Sequence, residues 1–209
     1  MTKVDFKKEL KHLYQPAKKD FEVVDVPAMQ FLMLDGMGDP NTAPEYQQAL
    51  EALYAVAYKL KFASKKQLDK DYVVPPLEGL WWAEDMDAFT SMRDKNQWSW
   101  TMMIMTPDWI TAALFQQTLG VVREGKQPPV ALDKVRLESY HEGLCAQILH
   151  IGSYDDEAPT LARLHHEWMP ARGYAFNGKH HEIYLSDPRR VAPEKLKTVL
   201  RQPIRRVDP

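Results

Sequence analysis

Polar and apolar side chains alternate along His180-His181-Glu182-Ile183-Tyr184-Leu185-Ser186-Asp187, and Pro188 ends the run. Alternation with a period of two marks a strand with two unlike faces. Glu182 and Tyr184 therefore share one face, and Ile183 and Leu185 share the other. The same reading along the chain predicts strands over 21–34, 72–83, 97–105, 134–151 and 174–185, with a last short one over 203–207. The second is broken by Pro75-Pro76, and the fourth kinks near Gly143. Pro27 interrupts the first strand, which places that point at an edge or a bulge.

Helical spacing is found elsewhere. Phe6, Leu10 and Tyr14 form a stripe over residues 4–14. Thr42-Ala43-Pro44-Glu45 has the spacing of a capping box, with Pro near the first turn. The helix that it opens runs to about Lys61. Tyr46, Leu50, Leu53, Ala57 and Leu60 form its buried stripe, with Tyr54 and Tyr58 at the margin. A second long helix is predicted from Thr106-Pro107-Asp108 to Arg123, weakened by Gly120. A third runs from Pro159 to Met169, and a short one from Pro193 to Arg201. A polar loop from Glu84 to Asn96 and a Pro-rich linker, Gly125 to Ala131, join these elements.

The order of elements repeats. Strand, Gly-rich turn, Ala43-Pro44, helix, strand, loop and strand are followed by strand, Gly turn, Ala158-Pro159, helix and strands. This predicts one α+β domain spanning residues 1–209, with pseudo-repeats at about 20–131 and 132–209. Their strands join into one antiparallel sheet with helices packed on it. A cleft where two such halves meet is a natural place for a ligand.

Composition narrows the function. The 209 residues are 44% hydrophobic and 27% charged, with a net charge of −2, so nothing draws the chain toward nucleic acid or an anionic membrane. Cys145 is the lone cysteine, which rules out an internal disulfide and suits a reducing, cytoplasmic compartment. Neither a signal-peptide pattern nor a run of membrane-spanning length is seen. The unusual feature is six Trp, nine Tyr and ten Met in a chain of this length.

Those aromatics make Glu182 the residue of interest, as a carboxylate that a ring of π faces surrounds. Tyr184 flanks it on the same strand face. Trp81 and Trp82 point to opposite faces, so only one of them lines a given pocket. Trp98 and Trp100 share a face, either as a stacking wall or as core packing. Tyr54 and Tyr58 either close a pocket from the first long helix or mark the edge of its stripe. Tyr140 and Glu142 share a face at the start of the second half, as a second polar contact or as a solvent-facing edge. Asp35 is either a strand-end carboxylate facing the cleft or part of an Asp-Gly turn. His165-His166-Glu167 and His180-His181-Glu182 lack the H-E-x-x-H order, and adjacent histidines on a strand diverge, so no metal site is expected. No Gly-rich phosphate loop is present, and no cofactor is expected. The basic C-terminus (Arg189, Arg190, Lys195, Lys197, Arg201, Arg205, Arg206) reads as a solvated face.

Four segments carry a resemblance: Leu77 to Trp82 (LEGLWW), Trp98 to Pro107 (WSWTMMIMTP), Glu142 to Gly152 (EGLCAQILHIG) and His180 to Arg201 (HHEIYLSDPRRVAPEKLKTVLR). Through them the chain resembles the GyrI-like small-molecule-binding family, in particular its free-standing branch. The resemblance implies a duplicated strand-helix-strand-strand fold. It also implies a glutamate on a late strand, ringed by aromatics, that meets cationic or flat aromatic compounds, and Glu182 matches that position. Some free-standing members hydrolyse the cyclopropane ring of DNA-alkylating natural products. The resemblance therefore implies either a binder of lipophilic, flat or cationic compounds or such a hydrolase, with Glu182 as general base and Tyr140 as first choice for the hydrogen-bond donor. Only about 20 residues precede the first strand, too few for a helix-turn-helix module of the kind the family's regulators carry.

Overall fold

The computed structural model describes residues 2–83 and 95–207. Most of the loop expected from Glu84 to Asn96 lies outside the described residues. The described strands are β1 (Glu22–Met37), β2 (Leu77–Trp82), β3 (Ser99–Thr106), β4 (Arg136–Ile151), β5 (Tyr174–Phe176), β6 (His180–Tyr184) and β7 (Lys197–Arg206). Every pairing among them is antiparallel, in the order β4-β1-β3-β2-β6-β7-β5. A further pairing of β4 with β7 closes the sheet on itself. This is the expected α+β fold, curled into a barrel.

The helices are α1 (Phe6–Glu9), α2 (Lys11–Tyr14), α3 (Pro44–Gln67), α4 (Ala112–Arg123), α5 (Ala158–Arg163) and α6 (Met169–Ala171), with a π-helical turn, Leu164–Trp168, between the last two. One face of the sheet is covered by helices. Leu32, Leu34, Met102 and Ile104 meet Ala49, Leu53, Val56 and Leu60 of α3, while Ala146, Ile148 and Leu200 meet Leu164, Trp168 and Met169. On the opposite face Phe31, Met33, Leu80, Met103 and Met105 form one cluster, and Val26, Cys145, Ile183 and Val199 another. Leu13 and Tyr14 of α2 are buried in the second of these clusters.

Several boundaries differ from the sequence reading. The helix expected over 4–14 is broken at Leu10 into α1 and α2. The N-cap of α3 is Ala43, not Thr42, no side chain caps it, and the helix continues to Gln67. α4 starts later than expected, with the Thr111 hydroxyl accepting from the Leu114 N–H. Asn177-Gly178-Lys179 divides the strand expected over 174–185.

The largest correction concerns residues 193–207. Only a turn at Pro193–Lys195 is helical, and the expected helix and short final strand are one ten-residue strand, β7. Leu-Lys-Thr-Val-Leu suits a helix locally. Pairing with β4 on one side and with β6 and β5 on the other overrides that preference, and β-branched Thr198, Val199 and Ile204 fit a pleated surface. Pro27 is accommodated because β1 pairs with β3 only from Gln30 onward. Across the β4 pairing it lies between the Val26–Gly143 and Ala28–His141 pairs, where Gly143 takes a φ of 74°.

Candidate functional site

The first three strands join the last four where β1 pairs with β4 and, at a second seam, where β2 pairs with β6. There Gly79 lies opposite Glu182, Leu77 opposite Tyr184 and Trp81 opposite His180. All six residues belong to one parity, the helix-covered face. Above this seam lies a cavity of about 1340 Å³, with α3 supplying Tyr46, Leu50, Tyr54 and Tyr58, and the α5 side supplying Leu161, His165 and His166. Pockets that hold drug-sized molecules are typically ~300–1,000 Å³, so the space admits a multi-ring compound.

Glu182 stands in the lining with its side chain 14% exposed. The Tyr184 hydroxyl donates to Glu182 Oε2 at 2.7 Å, and the Trp81 indole N–H donates to the Tyr184 oxygen at 3.0 Å. This relay fixes the carboxylate and leaves lone pairs on it for a ligand or a water. His180 Nε2 lies 3.5 Å from Oε1. Burial, then the Glu182 charge, pushes the Tyr184 phenol well above its usual value, so it stays protonated as a donor. The same two causes, in the same order, raise Tyr46, and they raise Tyr154 to about 12.

Aromatic rings pack against one another along this lining and behind it. Tyr46 meets Trp81 at 6.2 Å and stands edge-on to Trp100 at 5.3 Å. Trp98 is edge-on to Trp81 at 5.8 Å, Tyr154 is edge-on to Tyr184 at 5.7 Å, and Tyr54 stacks with Tyr58 at 6.4 Å. Gly79 makes this arrangement possible. A Cβ there would lie 2.7 Å from the Trp81 Nε1. Gly79→Ala is therefore expected to displace the indole and break the relay to Glu182. Dye titrations should show affinity falling about tenfold. An unchanged affinity would mean that the relay does not shape the site.

Of the residues singled out from sequence, Glu182, Tyr184, Trp81, Tyr54 and Tyr58 line the cavity, although Tyr58 is half exposed. Trp100 does not line it: it is fully buried, with its ring over Gly36, where a Cβ would collide with it. Tyr140 does not line it either. It packs on the opposite face with Phe31, Met33 and Leu80. Asp35 is held by the Thr101 hydroxyl at 2.6 Å and by Arg136, away from the cleft. Trp98, read from sequence as a stacking wall or as core, belongs to the lining, as do Tyr46, Tyr154 and His165, which were not singled out as ligand contacts. Tyr46 had a signal: Tyr46, Leu50, Tyr54 and Tyr58 follow one another at four-residue spacing, one face of a helix.

The opposite face carries a second polar group that the sequence reading missed. His181 Nδ1 lies 3.0 Å from both oxygens of Glu142, and its Nε2 lies 2.9 Å from Glu78 Oε2. Arg201 NH1 donates to Glu142 at 3.2 Å, and the Tyr14 hydroxyl donates to Glu78 at 2.9 Å. Two ionised carboxylates, one on each ring nitrogen, favour the doubly protonated imidazolium, which donates to both. Burial lowers the His181 pKa, but the charge and hydrogen bonds of Glu142 and Glu78 outweigh it and lift it to about 9. Arg201, expected on a solvated face, and Glu142, expected as a second ligand contact or a solvent-facing edge, are both internal. Among the described residues no three acidic, His or Cys groups are placed to hold a metal ion. No described helix is long and apolar enough to cross a membrane.

Comparison with known proteins places this geometry in context. The family described as GyrI-like small molecule binding domain matches residues 19–205. An uncharacterized conserved protein from Listeria innocua shares 43% identity over 97% of this chain and 100% of its own, with a TM-score of 0.88. A protein described as a hydrolase from Listeria innocua shares 41% over 97% of this chain and 100% of its own, with a TM-score of 0.84. The C-terminal domain of EcmrR shares the fold at 9% identity and a TM-score of 0.56, over 90% of this chain and 98% of that domain. Among curated proteins none matches the sequence.

Proposed function

We propose, from the premise that the chain belongs to the GyrI-like small-molecule-binding domain family, that it captures lipophilic, flat or cationic aromatic compounds in the cavity above the β2–β6 seam. The observation that carries this reading is a carboxylate, Glu182, fixed by a Trp81–Tyr184 relay and walled by aromatic rings. A cation over such a ring gains ~0.5–2 kcal/mol per face. A charge 4 Å from the carboxylate adds an attraction of about 4 kcal/mol at an effective dielectric of 20, before desolvation is subtracted. Flat rings would lie between α3 and the seam, with any positive charge toward Glu182. A solvated surface glutamate would give no saturable binding of flat dyes.

A second reading is hydrolysis, favoured by the 41%-identical relative described as a hydrolase. Its substrates would be strained cyclopropanes conjugated to a carbonyl, in DNA-alkylating compounds, so that turnover protects the cell. Glu182 takes a proton from water as the water oxygen attacks the ring CH₂. The carbon–carbon bond breaks, its electron pair passes into the conjugated carbonyl, and the resulting oxyanion gains a proton. A hydroxyl near that oxygen stabilises the developing charge. Tyr46 and Tyr154, which line the cavity, are the candidates for this role, whereas Tyr140 lies on the other face. Incubation with such an electrophile separates the readings. More than one equivalent of ring-opened, water-added product per protein selects hydrolysis, and protection that stops at one equivalent selects capture. Neither outcome, together with no saturable dye binding, contradicts both.

A further inference from the structure

Charge is unevenly placed around the cavity. Glu182 stands on β6, and the chain that leaves this strand turns at Asp187-Pro188-Arg189-Arg190, all four of which line the same cavity. The backbone N–H groups of Arg190 and Val191 both donate to the Asp187 carbonyl and close the turn. The Asp187 carboxylate accepts from the Arg189 backbone N–H at 3.0 Å. It also receives the Arg189 guanidinium as a fork, Nε to Oδ1 and Nη2 to Oδ2, both at 3.0 Å. Arg190 Nε lies 3.6 Å from Oδ2.

Two guanidiniums therefore share one carboxylate, and a positive charge is left over. Among the described residues no other carboxylate is paired with either arginine. Their side chains are 85% and 84% exposed, so the N–H groups that Asp187 does not use are open to a ligand at the mouth. The sequence reading put both arginines on a solvated basic face, and the structure sets that face at the border of the cavity. Burial raises the pKa of the Tyr54 phenol, and Tyr58, Arg189 and Asp187 act on it next, which puts the turn beside α3. At ~3.3 Å per residue the chain from Glu182 to Asp187 covers at most about 17 Å. A multi-ring compound lying along this stretch has a carboxylate at one end and guanidiniums at the other.

We infer that the Asp187–Arg190 turn is a second anchoring point of the cavity and receives a carboxylate carried by the ligand. The preferred compounds are aromatic zwitterions, with the cation toward Glu182 and the anion at the mouth. The planar donor fork of arginine matches a carboxylate, and Asp187 already holds one such fork in place. A purely cationic ligand lacks this contact and meets the surplus positive charge as it enters. The inference rests on the small-molecule-binding reading above and adds the charge required at the ligand's second end.

The test uses tetramethylrhodamine and its methyl ester, which share one cationic ring system and differ in a free or masked carboxylate, with binding followed by fluorescence anisotropy. The wild-type protein should bind the free acid about fivefold more tightly, the upper end for an exposed ion pair. Molar salt should erase most of that preference by screening. The double variant Arg189→Gln, Arg190→Gln should lose the preference because the acid binds more weakly, while the ester binds as tightly as before or more so. An ester bound as tightly as the acid by the wild type overturns the inference and leaves the cavity reading intact. A preference that survives the double variant places the carboxylate on another group and also overturns it. Equal losses for both dyes in the double variant overturn it by making the arginines part of the mouth's shape. Absence of binding by both dyes in the wild type overturns the cavity reading as well.

Discussion

Glu142→Gln should cost about 3–5 kcal/mol of folding stability, the loss expected when one partner of a buried ion pair is removed. Glu142 lies in the enclosed group with Glu78, His181 and Arg201, whose side chains are all essentially buried. Their formal charges cancel, two negative against two positive. Removing one carboxylate leaves the Arg201 guanidinium and the His181 imidazolium with a single counter-charge. Arg201→Met leaves the two carboxylates with His181 alone and should cost as much. Urea unfolding at neutral pH measures both variants. A loss under 1 kcal/mol in either would show that the group is hydrated or adjustable rather than locked.

The same group sets a pH dependence whose sign follows from two shifts. Burial opposes ionisation of Glu142, yet the charges and hydrogen bonds of His181 and Arg201 outweigh it and hold its pKa below the usual value. Its contribution is therefore present above the unfolded carboxylate pKa and lost in acid. The His181 pKa is raised from 6.5 to about 9. Its contribution is complete below 6.5 and disappears as the pH rises through about 9, a loss of roughly 3 kcal/mol by linkage. Stability should therefore be greatest in the mildly acidic range and fall between about pH 6.5 and 9. In Glu142→Gln the alkaline fall should shrink, because His181 has lost its main charged partner. Equal alkaline slopes in the two proteins would remove His181 as the cause.

How much of this was legible in the chain depended on whether a residue's partner was close in sequence. Alternation placed Glu182 and Tyr184 on one face of β6, because a strand's two faces are a local property. It also put Trp81 and Trp82 on opposite faces, and Trp81 alone of the two meets the cavity. The sequence order of helices and strands anticipated one antiparallel sheet. β7 was misread because its strand character is decided mainly by pairing with β4, β5 and β6, which the local sequence does not show. The ionic group was invisible for a related reason. Glu78, Glu142, His181 and Arg201 lie on β2, β4, β6 and β7, and only the closure of the sheet through β4 and β7 brings them together. Arg201 was read as solvated because it stands in a basic run at the end of an expected helix, and Tyr140 as a cavity contact because period-two alternation carries no sign for inside and outside. His165 depends on a π-turn, a local winding that no helical spacing reveals.

Glu182→Gln should weaken a flat cation at least about tenfold, or ~1.4 kcal/mol, and leave a neutral compound of the same shape nearly unaffected. The amide keeps the outline of the side chain and can still accept the Tyr184 hydroxyl bond, so the relay from Trp81 survives. What disappears is the negative charge at the centre of the aromatic wall and the basicity that hydrolysis needs. Any ring-opening activity should therefore be abolished by the same change. The measurement that bears most directly on the role of Glu182 is a fluorescence titration of wild type and Glu182→Gln with 10-methylacridinium and 9-methylanthracene, three-ring compounds of matching outline and different charge. The account predicts a large loss for the acridinium alone. Equal losses for both compounds would mean that Glu182 serves the fold and not the ligand, and no loss for either would mean that it does not meet the ligand at all.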